Sequence, residues 1–141
     1  MSLIEDLQEK IAQRRDANEI ARKKRNEDDA EEIAAAALAD DERQLVELPG
    51  VSADYPGFVV LRRPTHAEYL RFRHIVERDR AATDTAEARA KITPDIGRSC
   101  VVWPPLPVYD AIVKAYPAIG EFCGNEALKA ASAGAKAVAK K

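Results

Sequence analysis

Leu45-Val46-Glu47-Leu48-Pro49-Gly50 is where the chain changes character, and how it is read decides the fold. Proline cannot extend a helical hydrogen-bond ladder, and glycine suits the turn after a helix end. A helix arriving from the N-terminal side therefore stops at Pro49, with Leu45, Val46 and Leu48 as its last apolar positions. Residues 1–48 hold eight Lys/Arg against fourteen Asp/Glu, and residues 49–141 hold fourteen against ten. The two segments carry −6 and +4, which together make the −2 of the whole chain. Every Trp, Tyr, Phe, Pro and Cys follows Leu48. Three parts result: a charged helical arm over 1–48, a compact helical module over 49–131, and an Ala/Lys-rich tail over 132–141 that is expected to fray.

The arm opens on Ser2-Leu3-Ile4-Glu5, the pattern of a capping box, in which the Ser2 hydroxyl accepts an amide hydrogen bond and Glu5 reaches back. Leu3, Ile4, Leu7 and Ile11 follow at helical spacing as one apolar stripe. Between Gln13 and Glu32 the stripe almost vanishes into charge, and Ile33, Ala34, Ala37 and Leu38 restore it. Good helix formers fill the span, and Glu19 ahead of Lys23 adds an i,i+4 pair. A long helix with so little to bury in its middle needs solvation or a partner. Arg22-Lys23-Lys24-Arg25 reads as a solvated face rather than a phosphate patch, because Glu27, Asp28, Asp29, Glu31 and Glu32 follow directly. The apolar repeat is too short for a coiled coil.

In the module, Phe58-Val59-Val60-Leu61 reads as a short strand. Thr65 and Glu68 then form a second capping box, opening a helix to about Arg80 with Tyr69, Phe72 and Val76 on its core face. Asp84-Thr85-Ala86-Glu87 starts a short helix ending near Ile92, and Thr93-Pro94 signals a new start. Val101-Val102-Trp103 suits either a strand or a helix closed by Pro104-Pro105, and the helix is preferred. Tyr109, Ile112, Val113 and Tyr116 mark an amphipathic helix closed by Pro117. A turn then stops at Gly124, and Asn125 caps a last helix. The expected fold is mostly α: a long N-terminal charged helix, then a small helical module with one or two short β-strands.

No set of residues looks able to do chemistry. His66 and His74 lack partners at metal-ligand spacing, and Cys100 and Cys123 are single rather than paired. Reduced, partly buried thiols are the simpler reading for both cysteines in a leaderless chain. Cys100 with His74 as nucleophile and base is weaker than Cys100 as a small core residue. Asp84 and Glu87 are accounted for by a helix start. No nucleotide-loop or hydrolase motif occurs. The chain is thus expected to be a binding protein, not an enzyme, with no cofactor and no metal. Near-neutral charge argues against nucleic acid, and no apolar run approaches the roughly eighteen residues of a membrane span. Trp103 beside Pro104-Pro105 is either a peptide anchor or core.

The order of segments resembles a known family. A short strand leads through Arg62-Arg63-Pro64-Thr65 into a Glu68-Tyr69 helix. Cys100-Val101-Val102-Trp103-Pro104, an amphipathic helix, Tyr116-Pro117-Ala118-Ile119 and Asn125-Glu126-Ala127-Leu128 follow. Over residues 50–130 this is similar to the tail assembly chaperones of tailed bacteriophages; the charged arm has no match there. The resemblance implies a protein of the host cell cytoplasm that binds and solubilises the tape-measure protein and helps recruit tail-tube subunits. It implies no catalytic residues. Leu3, Leu7, Ile11, Ile33 and Leu38 of the arm, with Trp103 and Tyr109 of the module, are then the expected contacts. The alternative is a minor structural protein of virion assembly that uses the arm for protein–protein contacts, self-association included.

Overall fold

The computed structural model describes residues 2–40, 43–80 and 85–132. Its described elements run α1 (Leu3–Leu38), β1 (Gln44–Glu47), β2 (Phe58–Leu61), α2 (His66–Arg80), α3 (Thr85–Ser99), β3 (Val101–Trp103), α4 (Leu106–Ala115) and α5 (Ala118–Ala131). The chain is mostly α with a long N-terminal helix, as its composition implies. At 1.5 Å per residue, α1 is about 54 Å long. The Ser2 hydroxyl accepts from the Glu5 N–H at 3.2 Å and caps its start.

The helix ends at Leu38 rather than at Pro49, which corrects the extent of the arm. Residues 44–47 form β1, with Leu45 paired to Val60 and Val46 to Val59. An apolar run this short fits both helical and strand periods, so only the pairing partner decides. The sheet is antiparallel in the order β1-β2-β3. Strand β2 lies in the middle, and its unbroken apolar run follows from being covered on both faces. On one face Val59 and Leu61 join Val46, Cys100, Tyr109 and Ile112 in the main core, which α4 and α5 complete. The other face carries Leu45, Phe58 and Val60 and lies beneath α1, where Ile33 is buried.

Val101-Val102-Trp103 is a strand, which corrects the helix end expected there. Its register against β2 slips by one residue, since Leu61 pairs with Val101 but Val60 with Trp103. Paired residues of an antiparallel ladder share a face. The slip therefore sends Val101 to the core and turns Trp103 to the α1 side, where its indole N–H donates to Glu32 at 3.3 Å.

Two expected helix breaks are absent. α3 runs through Pro94, and α5 runs through Gly124 and Asn125. The glycines act in packing instead. A Cβ on Gly97 would lie 2.6 Å from the Gly124 nitrogen, and one on Gly124 would lie 2.6 Å from the Thr93 carbonyl carbon. α3 and α5 cross backbone against backbone at this notch, and their mutual packing compensates the one ladder bond that Pro94 removes.

The Thr65/Glu68 capping box is formed, with Thr65 N–H donating to Glu68 at 2.8 Å and Glu68 N–H to the Thr65 hydroxyl at 3.2 Å. Arg62 donates to both Glu68 oxygens, at 2.7 and 2.9 Å, and to the Ser99 carbonyl at 2.7 Å. The end of β2, the start of α2 and the end of α3 are thereby joined. The Arg62 guanidinium, aided by the Thr65 bonds, holds the Glu68 carboxyl at about 2, below its ordinary 4.5. A depressed carboxyl stabilises the fold above its unfolded value and loses that contribution as pH falls through the folded one. Stability should thus decline between about pH 4.5 and 2. After discounting for solvent screening, Glu68→Gln should cost about 1–2 kcal/mol at pH 7 and flatten that decline in urea titrations.

Candidate protein-binding surface

The middle of α1 is seated on the module by polar groups. Asn18 Oδ1 accepts the Ala53 N–H at 3.0 Å, and Arg22 Nη1 donates to the Leu48 carbonyl at 2.8 Å. Arg25 Nη1 donates to the Ala53 carbonyl at 3.2 Å, and Asn26 lies close against Gly57. These positions fall at i, i+4, i+7 and i+8, one face of a helix. All of them grip the loop between β1 and β2. Arg22 is only 6% exposed, and its Nε and Nη2 have no hydrogen-bond partner. Burial lowers its pKa from the ordinary guanidinium value, with Tyr116 opposing and Arg25 adding to the shift. The expected solvated face therefore holds only for Lys23 and Lys24, which are exposed.

Beyond this seat α1 runs on as a rod. Leu3, Ile4, Leu7 and Ile11 are all exposed along it, with Ile20 exposed further on. Glu5, Asp6 and Glu9 precede Lys10, Arg14 and Arg15, so the ridge is bordered by both signs of charge. Leu38, at the far end of the helix, is 82% exposed.

Four of the seven residues expected to contact a partner are thus on the surface: Leu3, Leu7, Ile11 and Leu38. Trp103 is half-buried, with its indole already bonded to Glu32. Two are corrected. Ile33 is 7% exposed because α1 presses it against the sheet. Tyr109 is 1% exposed, on the inner face of α4 with Ile112 and in one core with Cys123 of α5, and cannot meet another protein without unfolding. Helical spacing marks a face as apolar without saying what covers it.

One surface escaped the sequence reading. An apolar groove of ≈ 500 Å³ runs between α1 and the sheet, lined chiefly by Ile33, Ala34, Ala37, Leu38, Leu45 and Phe58. Its floor needs Leu45 on a strand. Sequence periodicity places that residue on a helix.

Both cysteines are free and fully buried, and burial pushes each thiol up to about 11, so both stay protonated at neutral pH. His74 is exposed on α2, a setting unlike that of Cys100. Asp84 and the side chain of Glu87 lie outside the described residues. Among the described residues no group of three or more His, Cys, Asp or Glu could hold a metal ion. Among them, too, no helix is long and apolar enough to cross a membrane.

Fold and surface define a class only: a small helical protein with a three-stranded antiparallel sheet and a projecting helical rod. Comparison of the chain with protein-family models, with curated proteins and with solved structures gives no match.

Proposed function

We propose that this chain is a tail assembly chaperone that captures a long helical tape-measure protein through the rod of α1. The supporting observation is the exposed ridge of Leu3, Ile4, Leu7 and Ile11 on a helix that outruns its own seat. A tape-measure chain is long and helical, and its apolar stripes aggregate when uncovered. Packing one amphipathic face along another covers both, while the bordering charges keep the pair in solution. The working site would be the host cytoplasm, and recruitment of tail-tube subunits would follow capture.

Co-expression with the tape-measure protein tests this reading. Burying a leucine or isoleucine contributes about 1.5–3 kcal/mol. Leu7→Asp/Ile11→Asp should therefore weaken capture by more than about 100-fold and return the tape-measure protein to the pellet. Unchanged solubility of the partner with this double variant would sink the proposal. Because both residues are exposed in the free chain, the variant should keep the melting temperature of the parent.

A further inference from the structure

We propose that two copies of this chain pair through β1, antiparallel and centred on Leu45, to form one continuous six-stranded sheet. The pairing stands independently of what the rod binds.

The Leu48 N–H donates to the Gly57 carbonyl at 2.8 Å, so residues 48, 46 and 44 point their amide groups at β2. Leu45 and Glu47 alternate with them, and their N–H and C=O groups point away from β2. The Arg43 N–H donates to the Asp40 carbonyl at 3.2 Å, and among the described residues nothing pairs with the outward groups of Leu45 and Glu47. An open edge beside an apolar groove is a template for another strand, and neither proline nor lysine blunts it within β1.

The side chains select the occupant. Leu45 is 48% exposed on the α1 side of the sheet, and Glu47 shares its face. Arg43 is held on that side by its bond to the Ala36 carbonyl at 2.7 Å. A two-fold axis at Leu45 sets Leu45 against Leu45 of the second copy and Arg43 against its Glu47, twice over. Apolar and opposite-charge cross-strand pairs are each favourable. Shifting the axis to Glu47 would oppose two carboxylates and place Pro49 where a donor is needed. The segment Arg43-Gln44-Leu45-Val46-Glu47 is thus complementary to itself.

The groove completes the fit. In such a pair both α1 helices lie on the same face of the joined sheet, flanking the axis. Leu38 of each copy is then positioned to fill the hollow over Ala34 and Ala37 of the other, with the Leu45 pair as floor. Closed two-fold symmetry leaves the rods free at the outside.

Sedimentation equilibrium of the full chain should give twice 15.5 kDa. Leu45→Pro removes an outward N–H without touching the β2 ladder, and should yield a monomer with unchanged far-UV circular dichroism. Arg43→Glu and Glu47→Arg should each be monomeric alone, and an equimolar mixture of the two should regain the dimer. That recovery separates loss of pairing from loss of folding. A parent chain still monomeric near 1 mM would overturn the proposal. So would a dimer indifferent to Leu45→Pro, or charge variants that fail to complement each other.

Discussion

Gly124→Ala should destabilise the native state severely. The added methyl would lie 2.6 Å from the Thr93 carbonyl carbon, 2.7 Å from its Cγ2, and closer still to its carbonyl oxygen. Two of these atoms are backbone in the middle of α3, so no side-chain rotation relieves the clash. α3 and α5 would have to separate, pulling Cys123 and Ala127 away from the core they share with Tyr109 and Ile112. Overpacking costs about 1–3 kcal/mol where neighbours can shift, and more where they cannot. We expect at least about 3 kcal/mol, a large share of what a small domain possesses. Urea unfolding followed through Trp103, the sole tryptophan, measures it. By contrast, Gly50→Ala should leave the midpoint almost unchanged, because nothing lies within 4 Å of a Cβ there. A Gly124→Ala protein that unfolds at the parent's urea concentration would show that α3 and α5 do not cross backbone against backbone.

Arg22→Glu should unseat α1 while leaving the module folded. Arg22 is buried and donates to the Leu48 carbonyl, so a carboxylate there would confront an acceptor with its charge desolvated. An uncompensated buried charge costs about 3–5 kcal/mol. Helix content should fall, and Trp103 fluorescence should change as its bond to Glu32 is lost. Arg22→Met sets the contrast. The guanidinium already holds two donors without partners, so an apolar side chain of similar length gives up one bond and removes two unsatisfied groups. It should be neutral or stabilise by about 1 kcal/mol. If Arg22→Met lowers stability as much as Arg22→Glu, the bond to Leu48 outweighs the cost of the two unpaired donors.

Much of the local structure is written in short-range signals. The capping pairs Ser2/Glu5 and Thr65/Glu68 mark two helix starts at the residues where they occur. The β-branched run of Phe58–Leu61 is the strand it resembles, and the spacing of Tyr109, Ile112 and Val113 matches the inner side of α4. The misreadings share one cause. Gly124 and Pro94 look like breaks because glycine and proline usually interrupt helices, yet here a neighbouring helix stabilises the continuous form. Leu45-Val46 looks helical because four residues cannot distinguish two periods. Tyr109 and Leu38 look alike as apolar helix residues, although one is enclosed and the other stands open.

The residues by themselves determined that a charge-rich, glycine-free helix leads into a module bearing all the aromatics, since propensity and capping act over a few neighbours. Only the tertiary structure decided where that helix ends, that Asn18, Arg22 and Arg25 grip a loop some thirty positions away, and which apolar faces remain open. Burial and strand pairing are relations between distant segments. No local pattern encodes the identity of the surface that will arrive to cover a side chain.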